Sequence, residues 1–269
     1  GKAYRLDRGF DEFRELFEGK KQVLAEDFIE PFREIISQAQ GKPFFVCLHI
    51  REPHQDYLMP PPFLGCFQNR YAGQTEEYIK KMREILQSER NSKEDLLLLQ
   101  DLYDENLLYA DSAVGRLLQI LEEKNIERRT LKIITADHGE CLGEHGLVGH
   151  NVILYREGIH IPLIVNIPGV HPKVTDRPAV TSDIAATLAD LFELEFPYRT
   201  SSRGLNLFNL PNERRRVCRA LSSTRGFPGY TVEHYPYKLI AYLPNAAESS
   251  ELYNLQDDPQ ENVNLEGHG

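Results

Sequence analysis

The sequence predicts an α/β fold built on a mainly parallel sheet flanked by helices, and three observations lead there. Two apolar runs, Phe-Phe-Val-Cys-Leu-His-Ile at 44–50 and Ile-Pro-Leu-Ile-Val-Asn-Ile at 161–167, have the length of buried strands. A third run, Leu-Lys-Ile-Ile-Thr-Ala at 131–136, follows a long amphipathic segment at about 94–124. Strand, long helical crossover, strand is a βαβ unit, the arrangement that returns a chain parallel to itself. After about residue 203 the pattern changes to short strand-like pieces at 216–221, 230–233, 237–243 and 250–255, separated by Gly, Pro and Asn. These predict a small antiparallel sheet. The expected division is 1–203 for the α/β part and 204–269 for a C-terminal subdomain.

Each element has a local cause. Leu24, Phe28, Phe32, Ile35 and Ile36 recur at a helical period that Gly41 ends, and Pro43 opens the first strand. A loop rich in proline follows (Pro53, Pro60, Pro61, Pro62), and Thr75-Glu76-Glu77 starts a short helix. The long helix places Leu99, Leu102, Leu107, Ala110, Val114, Leu117 and Leu121 on one side. Pro168-Gly169 ends the third strand, and Thr181-Ser182-Asp183 caps a helix through about 193.

The 269 residues are 41% hydrophobic and 27% charged, enough for a sizeable core. A formal charge of −10 disfavours nucleic acid, whose binding depends on neutralising phosphates with Lys and Arg. It leaves room for a small anionic substrate, because a metal or a few histidines reverse the field inside one pocket. No run approaches the roughly 18 apolar residues of a membrane helix. Cys47, Cys66, Cys141 and Cys218 show no Cys-x-x-Cys spacing, and Cys47 reads as a small hydrophobe buried in a strand. The chain opens Gly1-Lys2-Ala3, without methionine, so a missing targeting segment carries no information on compartment.

Open parallel sheets bind ligands beyond the carboxyl ends of their strands. Two polar clusters stand at such ends: Glu52-Pro53-His54-Gln55-Asp56-Tyr57 and Asp137-His138-Gly139-Glu140. Asp137 and His138 offer a hard oxygen and an imidazole, a pair suited to a divalent metal, although an adjacent Asp-His also serves a capped turn. Glycine at 139 permits a close backbone approach, and His145 and His150 add two imidazoles within a dozen residues. On these residues alone, His54 and His145 read as loop histidines or as ligands, and no reaction is named.

The run Thr-Ala-Asp-His-Gly-Glu-Cys-Leu-Gly-Glu-His-Gly-Leu-Val-Gly-His at 135–150 resembles a segment of the sulfatase family, in the alkaline-phosphatase superfamily. Gly-Phe-Asp-Glu-Phe at 9–13, His-Ile-Arg-Glu-Pro-His-Gln-Asp-Tyr at 49–57 and the segments 103–118, 159–169, 181–191 and 251–265 resemble further landmarks of that family, in the usual order. The resemblance implies an alkaline-phosphatase-like fold and a metal-dependent sulfuric ester hydrolase. It implies Asp137 and His138 as metal ligands, and His54 as a contact to the transferring sulfate or phosphate group. His150 stands where many members place a lysine that binds the same group.

Two departures qualify this. The family's nucleophile motif, a Cys or Ser converted in sulfatases to formylglycine, and its two N-terminal acidic ligands have no counterpart here. The expectation is a fragment that needs an N-terminal segment to complete its site and is inactive alone. The cation implied is Ca2+, with Mn2+ or Zn2+ as alternatives because of the imidazole ligand. The substrate implied is a small sulfate ester. The histidine at 150, where an ammonium would always be charged, leaves phosphate and phosphonate esters open. A sulfatase-like protein that binds without turnover is the remaining alternative.

Overall fold

Helix formation in the N-terminal part follows from caps and apolar spacing. In this computed structural model the residues described are 6–17, 23–39, 41–67, 75–88, 90–150, 154–195, 204–210, 217–222, 228–243 and 250–266. They fall into two units: Gly1–Leu131 with Ile167–Gly169, and Lys132–Asn166 with Val170–Gly269.

In the first unit a 3-10 turn at Ala25–Phe28 runs into α1, Ile29–Ala39. Next come α2, Thr75–Gln87, and α3, Lys93–Glu123. Ser92 and Asp95 start α3 as a reciprocal capping box: the Ser92 hydroxyl accepts from Asp95 N at 3.1 Å, while Asp95 accepts from Ser92 N at 3.3 Å. Ile29, Phe32 and Ile36 of α1 are buried against Leu117, Ile120 and Leu121 of α3. Each such side chain contributes roughly 1.5–3 kcal/mol of burial to the unit's stability. Leu107, expected on the same side of α3 as Leu117 and Leu121, is instead 46% exposed, while Glu105 and Asn106 are buried.

Those two polar residues organise the proline-rich loop. The Glu105 carboxylate accepts from Gly65 N and Phe67 N, both at 2.9 Å, and Asn106 Nδ2 donates to Leu58 O at 2.8 Å. A loop without its own ladder thus satisfies its backbone donors on a helix. Tyr57 is fully buried with φ 44°, its ring edge-on to Tyr103, and the Tyr78 hydroxyl reaches Tyr57 O at 2.6 Å.

The segment 44–50 departs from expectation. It is extended, and Val46, Leu48 and Ile50 pack on the α1–α3 seam, but among the described residues it joins no ladder. The alternate residues, Cys47 included, are exposed, so Cys47 is not the buried hydrophobe the sequence suggested. One packed face without hydrogen-bonded neighbours does not make a sheet strand.

In the second unit β1, Lys132–Thr135, and β4, Leu163–Asn166, pair antiparallel, with Lys132 opposite Asn166 and Thr135 opposite Leu163. The parallel register expected for these two runs is therefore corrected. Among the described residues their connection holds the short strands β2, Cys141–Leu142, and β3, Val148–Gly149, a 3-10 turn at Glu144–Gly146, and the four-residue helix α4, Arg156–Ile159. Among the described residues it has no long crossover helix, and a chain that turns back locally pairs antiparallel.

The helix α5, Ser182–Leu191, is held at its start by Asp183, not by Thr181. The fully buried Asp183 carboxylate accepts from Val180 N at 2.8 Å and Leu205 N at 2.7 Å. The small C-terminal sheet is antiparallel as expected, in the order β5 (Cys218–Ser222), β6 (Gly229–His234), β7 (Tyr237–Tyr242) and β8 (Ser250–Asn254). Leu154, Ile240 and Tyr253 form the core beneath it, with Tyr155, Ile159 and Tyr242 against them.

The turn after β1 is seated on α4. Gly139 N donates to Gly158 O at 2.8 Å, and a Cβ at 139 would lie 2.0 Å from Glu157 O. Only glycine fits there without moving backbone.

Two substitutions test this packing. Ile120→Ala should destabilise the chain by about 2–5 kcal/mol, while exposed Leu108→Ala changes stability by less than about 0.5 kcal/mol; denaturant titration reads both. Gly139→Ala should cost about 1–3 kcal/mol or more, because the obstacle is backbone. A neutral Gly139→Ala result would show that the turn is not clamped on α4.

Candidate active site

The β2–β3 hairpin sets the site's geometry. Its register pairs Cys141 with Gly149 and Leu142 with Val148, so one step further out Glu140 falls opposite His150. Their side chains meet: His150 Nδ1 lies 3.2 Å from Glu140 Oε2. His138, two residues before Glu140, is a diagonal neighbour, and its ring stacks on His150 with centroids 4.4 Å apart at 23°. Three sequence-predicted residues, Asp137, His138 and His150, are thus brought together within the second unit.

Asp137 and His138 are arranged as neighbouring donors. Asp137 Oδ1 accepts from His138 N at 3.1 Å and lies 3.8 Å from His138 Nε2. His138 Nδ1 is 2.9 Å from Gly139 O. A carbonyl only accepts, so Nδ1 carries the proton and Nε2 the lone pair, the tautomer that suits a metal ligand. A carboxylate oxygen and an imidazole lone pair at this separation fit a divalent cation as two members of its shell. The site is also accessible: the Asp137 side chain is 72% exposed and that of His138 38%.

His150 lies deeper. Burial pushes its proton affinity below the ordinary histidine value, and the stacked His138 ring adds to this. The Glu140 contact, which alone would favour an imidazolium, is therefore read as a neutral ring donating Nδ1–H to a carboxylate. In that form the outward nitrogen presents a lone pair where a lysine would present protons.

His145, open in the sequence, packs. It sits at the hairpin tip with φ 54°, its ring stacked on Tyr155 at 3.8 Å and 7° and its Nε2 3.4 Å from Glu157. That contact lacks hydrogen-bond geometry, since Glu157 Oε2 is buried without a hydrogen-bond partner.

His54 belongs to the first unit. It follows the extended 44–50 segment instead of a ladder strand, so the strand-end argument for its placement does not hold. It lines a small cleft with Val23, Arg51, Glu52, Asp56 and Leu58. His54 Nδ1 abuts Gln55 O, which also accepts from Arg51 at 2.9 Å. Burial raises the Glu52 carboxyl above its usual range while it accepts from Ala25 N at 3.0 Å.

Sequence reasoning missed Glu140 as the partner of His150, although a hairpin centred on His145 would have placed them opposite. It also missed Glu261, whose partners Arg156 and Lys238 are 105 and 23 residues away, too distant in sequence to leave a local signal.

The sequence and the fold both resemble those of known proteins. The sulfatase family pattern matches residues 4–194, and that of the N-sulphoglucosamine sulphohydrolase C-terminal region matches 143–268. An uncharacterised sulfatase, YidJ of Escherichia coli (strain K12), is 26% identical over 253 residues, covering 83% of this chain and 47% of its own length. This chain therefore spans about half the length of that relative. Among solved structures, a protein in complex with its substrate D-glucosamine-2-N,6-O-disulfate aligns with a TM-score of 0.72 at 20% identity, over 90% of this chain and 65% of that one. The phosphonate monoester hydrolase of Agrobacterium radiobacter aligns at 0.71 and 20% identity, over 90% and 56%. These alignments establish the alkaline-phosphatase-like α/β fold as a whole, although β1 and β4 pair antiparallel here. Among the described residues no helix is long and apolar enough to cross a membrane. With the family pattern matched across most of its length, the chain belongs to the sulfatase family of hydrolases.

Proposed function

We propose that the chain supplies the metal-binding turn and one wall of the site of a metal-dependent sulfuric ester hydrolase acting on a small anionic sulfate ester. The observation that carries this is the Asp137–His138 arrangement: an accessible carboxylate, and an imidazole whose tautomer is set by Gly139 O. Asp137 and His138 would hold the cation, Ca2+ with Mn2+ or Zn2+ as alternatives, since imidazole nitrogen suits the latter two better. The bound cation would stabilise negative charge on the oxygens of the transferring group.

The chain's own groups bind and orient. His150, held by Glu140, is proposed to face those oxygens, and the family resemblance assigns His54 to the same group. Two ligands do not complete a shell, and none of the four cysteines stands in the family's nucleophile motif. The proposal therefore includes an N-terminal segment, outside this sequence, that brings the nucleophile and the remaining acidic ligands. Alone, this chain is proposed to be inactive.

A second reading, hydrolysis of phosphate or phosphonate esters, is favoured by one observation. A histidine stands at 150, and an imidazole does not offer the fixed charge of a lysine.

The test uses the 269-residue chain and a form extended upstream by the nucleophile segment, each assayed on aryl sulfates and phosphate diesters with Ca2+, Mn2+ or Zn2+. Only the extended form should turn over, and Asp137→Ala or His138→Ala should weaken Mn2+ binding tenfold or more by calorimetry. Unchanged Mn2+ affinity in both variants would refute the metal assignment, and turnover by the shorter chain would refute the need for the added segment. His150→Lys in the extended form should raise the ratio of sulfatase to phosphodiesterase activity; an unchanged ratio removes His150 from specificity.

A further inference from the structure

We infer that Glu261, near the C-terminus, is a positioning residue for the Asp137-His138-Gly139 turn and acts through α4. The inference rests on reading that turn as a metal site. It begins with an oddity in α4. A helix of four residues has no stability of its own, so its place is dictated by what holds its ends. Its N-cap, Tyr155, makes no side-chain capping bond. The cap comes instead from 105 residues away: Glu261 Oε2 accepts from Arg156 N, the first helical amide, at 3.1 Å. At the other end Gly158 O accepts from Gly139 N at 2.8 Å. One helical turn therefore links a C-terminal carboxylate to the backbone beside His138.

Glu261 is built into its place. It is 2% exposed, stands at φ 57° in the left-handed region, and takes two bonds from Lys238 Nζ of β7, at 2.7 and 2.8 Å. Burial pushes the Lys238 ammonium down and the Glu261 carboxyl up, so each charge is there at a cost. An apolar pair of the same shape would serve the core as well. What such a pair could not do is accept the Arg156 amide. Beside this link, Tyr155 packs edge-on to Tyr253 of β8 and stacks on His145 at the hairpin tip. The C-terminal sheet thus grips the segment just before and within α4, and α4 carries the turn.

The test removes the N–H without removing the residues around it. Proline is tolerated at the first helical position, and Tyr155, at φ −69° and ψ 166°, already has the backbone that precedes proline. Arg156→Pro deletes the capped donor, and Arg156→Ala removes only the exposed side chain and keeps it. In the 269-residue chain, amide exchange at Gly139 should be at least tenfold faster in Arg156→Pro than in Arg156→Ala, with the Ile240 amide of β7 unchanged. Equal Gly139 rates would overturn the inference.

A second pair covers the case in which the proline variant fails to fold. Lys238→Met with Glu261→Gln keeps an acceptor for Arg156 N, and Lys238→Met with Glu261→Leu does not. Only the leucine form should lose Gly139 protection, and it should bind Mn2+ at least threefold more weakly than the glutamine form; matching Gly139 rates in the two would again overturn the inference. If Gly139 rates separate as expected while no form, the parent included, binds Mn2+, the metal reading fails and the positioning role stands.

Discussion

The close approach of Gly139 to α4 is the constraint on which the candidate site depends. A hydrogen bond of 2.8 Å to Gly158 O, with no room for a Cβ, fixes the backbone between His138 and Glu140. From that fixed point the rest follows. The carbonyl of Gly139 holds His138 Nδ1 and so chooses the tautomer, and the next residue enters the hairpin whose register delivers Glu140 to His150. A turn free to move would leave an aspartate and a histidine adjacent in sequence without committing their donor atoms to one ion.

The same economy recurs elsewhere, with buried acids standing in for regular ladders. Glu105 gathers Gly65 N and Phe67 N, Asp183 gathers Val180 N and Leu205 N, and Glu261 takes Arg156 N together with Lys238. Each desolvated carboxylate is costly unless donors surround it, and each here is met by donors from a loop or a short helix. These acids specify where irregular segments sit. The apolar seam of α1 and α3 supplies stability and the carboxylates supply position.

What the sequence revealed divides along the same line. The helices at 29–39, 93–123 and 182–191 were legible because apolar periodicity and caps are local signals. The four C-terminal strands were legible from Gly, Pro and Asn punctuation. Pairing was less so: 44–50 has a strand's composition but no ladder, and β1 pairs with β4 antiparallel, because partners are chosen by tertiary context. Of the site, Asp137, His138 and His150 could be named from residue type and family resemblance. Glu140 needed the hairpin register, and Glu261, 105 residues from Arg156, left no local trace.

The account stands or falls on where a cation binds. Crystals soaked in Mn2+, with data collected at its absorption edge, would locate the ion by anomalous scattering. The account predicts a peak bonded to a carboxylate oxygen of Asp137 and to Nε2 of His138, with His138 Nδ1 still on Gly139 O. A peak elsewhere in the second unit, with Asp137 and His138 both unliganded, would contradict it.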